Sequence, residues 1–230
     1  MFNHGSPLTL AEQQKMTPFD YPLAVRFFAE RGYVVVTALR RGFGESEGRF
    51  SEGVLRDRPD YVGAGRAAAD DIRGVLSFLK TMPGLDLGRV VLAGHSAGGF
   101  GSLALLGQAG VHVRGAISFA GGKGSQWLGD GPLYTRGLVA AVTEYGREAH
   151  APSLWIYSDN DHFFPPFIAT QMFRAYTDAG APANLERLPA IGTDGHNLFT
   201  ANAEKLWAPA VDRFLLGLGL PSGKASVLED

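Results

Sequence analysis

The sequence predicts an α/β fold built on an open, mostly parallel sheet with helices on both faces. Short β-branched and apolar runs alternate with longer segments whose apolar residues recur at helical spacing. The strand-like runs are apolar on both faces, as in strands covered from two sides. The 31 glycines cluster after such runs, where a strand must turn tightly into a helix.

The elements follow in order. Tyr21 to Arg31 carries Leu23, Ala24, Phe27 and Phe28 at helical spacing and stops at Gly32. Tyr33 to Leu39 reads as a buried strand, and Arg40 to about Gly63, rich in Gly, Ser, Arg and Asp, as a long loop. Ala64 to Lys80 is a helix with Ile72, Val75, Leu76 and Leu79 on one face. Arg89 to Ala93 is a strand and Ala97 to Gln108 a helix; Val113 to Phe119 is a strand, and Leu133 to Gly146 a helix beyond a glycine-rich loop. Leu154 to Ser158, Pro166 to Ala179, Leu185 to Leu188 and Ala201 to Leu216 continue the alternation as strand, helix, strand and helix. Crossovers should be right-handed. The expected organisation is one domain over residues 1–217 and a fraying tail over 218–230.

Composition removes several function classes. With 230 residues, 45% hydrophobic, the chain can build one full core. A net charge of -2 gives no basic footprint for nucleic acid. There is no cysteine, hence no disulfide, thiol nucleophile or thiolate metal site. No apolar run is long enough for a spanning helix. No signal peptide is visible, and the compartment and oligomeric state stay open. The opening Met1-Phe2-Asn3-His4-Gly5-Ser6-Pro7 reads as a loop that normally follows a strand, with only two or three residues before it.

The motif that carries chemistry is Gly94-His95-Ser96-Ala97-Gly98, after Val90-Val91-Leu92-Ala93 and before an Ala/Leu-rich helix. A serine between strand and helix sits in a strained turn that exposes its hydroxyl. The Ala97 N–H then points where an oxyanion forms, and the helix N-terminus adds a favourable field. Such a serine needs a base, and the base an orienting acid. His196, in Thr193-Asp194-Gly195-His196-Asn197 after the last strand, lies where sites collect on a parallel sheet. His4 is expected to shape its loop and His95 to pack or hydrogen-bond beside the serine. For the acid, Asp159 and Asp161 compete within Ser158-Asp159-Asn160-Asp161-His162; Asp161 is favoured, though spacing alone leaves both open. The order Ser96, Asp161, His196 fits a nucleophile–acid–histidine arrangement.

These segments together resemble the α/β-hydrolase fold and, within it, the dienelactone hydrolase-like group of serine esterases. The resemblance rests on the first His-Gly loop, Tyr33-to-Gly48, GHSAGG, the YSDNDHF turn and the GHN loop. It implies an eight-stranded, mostly parallel sheet, here short of its first N-terminal strands. It places the strand feeding the His-Gly loop between the Tyr33–Leu39 and Arg89–Ala93 strands. It also implies Asp161 as the acid and Ser6 as the second oxyanion N–H donor beside Ala97. The dienelactone hydrolases proper use cysteine, so the serine here favours an ordinary ester.

The expected activity is hydrolysis of a small-molecule carboxylic ester through an acyl-enzyme, without metal or organic cofactor. Trp127, His162, Phe163, Arg41 and Phe43 are expected at the substrate pocket, and such aromatics suggest a medium or bulky apolar acyl group. No long insertion follows the Val113–Phe119 strand, so a large lid is not expected. A peptidase or amidase, a thioesterase, and a non-catalytic binding protein on the same fold are the alternatives.

Overall fold

A computed structural model describes residues 1–55, 58–124 and 132–224. Its sheet has five parallel strands in sequential order: β1 (Phe2–Asn3), β2 (Val91–His95), β3 (Gly115–Phe119), β4 (Ser153–Ser158) and β5 (Ala183–Leu188). The helices are α1 (Leu10–Gln14), α2 (Pro22–Ala29), α3 (Tyr61–Leu79), α4 (Ala97–Leu105), α5 (Pro132–Glu148), α6 (Pro166–Asp178) and α7 (Ala201–Gly217).

Alternation along the strands decides which helix covers which face. Trp155 packs its ring on Tyr176 and Phe173 of α6, and its register partner is Ser118. The next residue of β3, Phe119, points to the other face and meets Trp207 of α7. Helices α3, α4, α5 and α6 pack in series on the first face. On the second, Phe27 of α2 lies edge-on to Trp207, and the Arg31–Asp212 ion pair, at 2.6 Å, ties the end of α2 to α7. β2, β3 and β4 are buried on both faces, as the apolar runs require.

The expected helices from Tyr21 onward and the expected strands from Arg89 onward are all present, with ends shifted by a few residues. The sheet, however, has five strands among the described residues, not the eight that the resemblance implies. Tyr33 to Leu39 is not a strand either. It runs beside β1 as an extended segment with one isolated bridge, Thr37 to Phe2, and one bond from the Phe2 N–H to the Val36 carbonyl at 2.8 Å. Its one neighbour in the sheet among the described residues, β1, has two residues, so no ladder propagates along it, and Val34 is 69% exposed. β1 does lie between this segment and β2, where the resemblance put it.

Two further differences are local. α1 was not expected, although Thr9 and Glu12 form a reciprocal capping box at its start. Residues 218–224 pack against the domain: Leu220 is buried, Tyr33 donates its hydroxyl to the Pro221 carbonyl at 2.8 Å, and the Gly223 N–H donates to Asp212 at 3.0 Å.

β1 reaches the rest of the fold through its side chains. Asn3, fully buried, donates Nδ2 to Ser102 Oγ at 2.8 Å, and that hydroxyl donates to the Gly98 carbonyl at 2.7 Å. Gly98 leaves no room between them. A Cβ there would run into the carbonyl oxygens of Asn3 and His4, both backbone atoms that cannot swing away. Gly98→Ala should therefore destabilise the chain by about 1–3 kcal/mol. Urea denaturation checks this, and an unchanged midpoint would count against the close packing of β1 on α4.

Candidate active site

The turn between β2 and α4 is strained at one residue. Ser96 has φ 50° and ψ -119°, a conformation that side chains rarely adopt. Its surroundings hold it there. The Ser96 N–H donates to the Phe119 carbonyl at 2.9 Å, while its own carbonyl accepts from Phe100 at 3.0 Å and from Gly122 at 3.2 Å. Strain of this kind costs about 1–3 kcal/mol and persists only where neighbouring structure overdetermines it. The Ala97 N–H is the first of α4 and so has no intrahelical acceptor.

Asp161 and His196 meet beyond the strand ends, with His196 lining the cleft and Asp161 buried behind it. His196 Nδ1 lies 3.1 Å from each Asp161 carboxylate oxygen. Asp161 is 1% exposed, and its Oδ1 accepts from the Phe163 and Phe164 N–H groups at 2.8 and 2.9 Å. An acid facing the ring nitrogen makes Nδ1 the protonated one in neutral His196 and leaves Nε2 as the basic atom. Asp159 is elsewhere, half exposed and paired with Arg187 at 2.5 Å. Asp194 caps the loop instead, accepting from the His196 N–H at 2.9 Å and the His162 N–H at 3.2 Å.

A chain of hydrogen bonds passes around the serine from the first loop to the histidine loop. The Gly5 N–H donates to the Tyr21 hydroxyl at 3.0 Å, Tyr21 lies 3.1 Å from His95 Nδ1, and His95 Nε2 lies 2.9 Å from the His196 carbonyl. Facing a carbonyl, Nε2 must donate, so Nδ1 accepts from Tyr21 and every link has one direction. Burial, with the neighbouring His196 adding to it, lowers the His95 pKa to about 3, so the ring is neutral. Gly5 presses on the elbow: a Cβ there would stand 3.0 Å from His95 Nδ1 and 3.4 Å from Ser96 Cβ.

The same cleft, about 800 Å³, is lined by Gly5, Ser6, His95, Ser96, Ala97, Lys123, Phe163 and His196 among others. Tyr21, Phe50, Val54 and Phe199 add apolar wall. Of the expected substrate-pocket residues, Phe163 is there, stacked at 4.4 Å on the His196 ring. Arg41, Phe43 and His162 are not among its lining. Arg41 turns outward to pair with Asp71 at 2.5 Å, because Gly42 and Gly44, both at positive φ, redirect the loop. Phe43 is fully buried between His4 and Phe50. His162 is exposed, 3.9 Å from Asp194. Trp127 lies outside the described residues.

A buried charge cluster in the wall of the cleft was not expected. Arg40 and Lys123 both pair with Glu52, which is fully buried. Burial pushes the Glu52 carboxyl up, but Arg40 and Lys123 together outweigh it and hold the pKa down at about 2. His4 is lowered to about 3, by burial first and by Arg40 second. Among the described residues no helix is long and apolar enough to cross a membrane.

These shifts fix the sign of the acid response. His4 and His95 are neutral in the fold but protonate near 6.5 when exposed, so their stabilisation is full above that value and falls as pH drops toward 3. Glu52 acts in the same sense from about 4.5 down to about 2. Urea midpoints should fall steadily from pH 7 to pH 4; a flat profile between pH 7 and pH 5 would contradict neutral buried histidines.

Comparison with known proteins supplies the family. A model of the alpha/beta hydrolase family matches residues 4–223. No curated protein matches the chain. Among solved structures, a CIB-like hydrolase from Thermoplasma acidophilum is 20% identical with a TM-score of 0.62, over 93% of this chain and 84% of that one. The Pyrococcus furiosus esterase is 15% identical with a TM-score of 0.64, over 95% and 80%. The Pyrococcus horikoshii acylaminoacyl peptidase is 20% identical with a TM-score of 0.51, over 77% of this chain and 30% of that one. At these identities the likenesses show a shared fold. The family match covers nearly the whole chain, which belongs to the alpha/beta hydrolase family.

Proposed function

We propose that this chain hydrolyses carboxylic esters of small molecules through an acyl-enzyme on Ser96. The observation that carries this reading is the meeting, in one cleft, of a serine held at positive φ with a histidine braced by a buried aspartate. His196 Nε2 takes the proton from Ser96 Oγ as the oxygen attacks the ester carbonyl carbon. The carbonyl oxygen becomes an oxyanion held by the Ala97 N–H and the Ser6 N–H; the Gly5 N–H is already taken by Tyr21. The tetrahedral intermediate collapses, the bond to the alcohol oxygen breaks, and the imidazolium returns its proton to the leaving alcohol. Water, deprotonated by the same histidine, then releases the acid and restores Ser96. Asp161 keeps the Nδ1 proton in place and stabilises the imidazolium.

Phe50, Phe163 and Phe199 along the cleft favour an apolar or aromatic acyl group. An ester substrate is supported by the likeness to the Pyrococcus furiosus esterase. A panel of esters, thioesters and amides of graded acyl size separates this reading from thioesterase or peptidase activity, which would show as a higher kcat/KM on those substrates.

Ser96→Ala should lower p-nitrophenyl acetate turnover by about 10⁴-fold or more. A folded variant that keeps its rate would remove Ser96 from the chemistry. Asp161→Asn should cost about 10⁴-fold in kcat, because the ring loses its tautomer, whereas Asp159→Asn, acting on a surface pair, should change it by less than about threefold. Steady-state kinetics on the two variants decide, and the opposite ranking would exchange their roles.

A further inference from the structure

The Arg40–Glu52–Lys123 cluster lies outside the proposed triad yet touches the loop that faces Ser96. Glu52 accepts from Arg40 Nε, from Arg40 Nη2 at 3.3 Å and from Lys123 Nζ at 2.9 Å. Each cation then reaches the first loop. Arg40 donates Nη1 to the His4 carbonyl at 2.8 Å and its backbone N–H to His4 Nε2 at 3.1 Å. With Nε2 accepting, His4 Nδ1 is the protonated nitrogen and donates to the Gly5 carbonyl at 2.7 Å. Lys123 donates Nζ to Ser6 Oγ at 3.2 Å. His4, Gly5 and Ser6 are thus each gripped by a group that Glu52 anchors, directly or through one intermediate.

The other end of the cluster is tied to the nucleophile. Lys123 follows Gly122, whose N–H donates to the Ser96 carbonyl at 3.2 Å, and Gly121, whose carbonyl accepts from the Tyr157 hydroxyl. The backbone that carries Lys123 and the backbone that carries Ser6 therefore approach Ser96 from separate parts of the chain, and the Lys123–Ser6 bond joins them.

A buried ion cluster is a poor source of stability, since desolvating the charges offsets most of their attraction. It is a good source of geometry, because guanidinium and ammonium bonds to carboxylate and carbonyl oxygens are directional. We infer that Glu52 and Lys123 are positioning residues that fix the Gly5–Ser6 backbone opposite Ser96. This rests on the ester-hydrolase reading.

The test compares Glu52→Gln, Lys123→Met and Lys123→Arg in the full chain. It measures kcat and KM on p-nitrophenyl acetate and inhibition by phenylboronic acid, whose tetrahedral adduct with a serine mimics the oxyanion. Lys123→Met should lower kcat about 10- to 100-fold with KM within about threefold, and weaken boronic acid binding by a matching factor. Lys123→Arg should recover most of both, and Glu52→Gln should follow Lys123→Met. A structural role alone would lower thermal stability without this correspondence. A folded Lys123→Met variant with kcat and boronic acid affinity within twofold of the parent overturns the inference, as does a loss confined to KM. If Glu52→Gln does not fold, Lys123→Met decides, since it leaves the Arg40–Glu52 pair intact. A parent chain that turns over no ester overturns the hydrolase reading and this inference with it. An active parent with unaffected variants overturns this inference alone.

Discussion

β1 is two residues long, and the geometry around Ser96 depends on how those residues are held. Phe2 and Asn3 pair with Ala93 and Gly94 of β2, and the Phe2 N–H bonds outward to Val36. The Asn3 side chain then crosses to α4 through Ser102, and Gly98 lets the backbones touch. This contact sets the distance between the His4–Gly5–Ser6 loop and the N-terminus of α4. A serine turn and a loop offering N–H groups from the opposite side are of use to an acyl-transfer reaction only at a fixed separation. The packing of one short strand thereby becomes a constraint on chemistry.

Around that contact the polar groups divide by position. Tyr21 and His95 connect the first loop to the histidine loop on one side of Ser96. Arg40, Glu52 and Lys123 connect it to the loop after β3 on the other. Asp161 is held by the N–H groups of its own turn and passes that order to His196. Few of these side chains are free to reorient, which is the condition for electrostatic stabilisation without reorganisation.

Much of this was legible in the sequence, for identifiable reasons. Helical spacing and β-branched runs give α2 to α7 and β2 to β5 because those elements bury most of their apolar residues in one core. The Gly94-to-Gly98 turn could be read because it is a local motif between strand and helix, and Asp161 and His196 because both lie in loops that follow β4 and β5 at the same edge of the sheet. Tyr33 to Leu39 misled because composition reports what a segment would do with a partner, and its partner has two residues. Arg41 and Phe43 were misplaced because loop side-chain direction depends on backbone angles at Gly42 and Gly44 that carry no periodicity. The Glu52 cluster left no trace, since its members stand 12 and 71 residues apart with no pattern between them. The capping box at Thr9 and Glu12, by contrast, was a readable signal for α1.

The most direct test of the account is to trap the acyl group. p-Nitrophenyl acetate is mixed with the parent chain, quenched in acid within one turnover and digested for mass spectrometry. The account predicts one added acetyl group per chain, located on Ser96 and absent after Ser96→Ala. Acetylation at another residue, or turnover with no covalent adduct at any time, would contradict it.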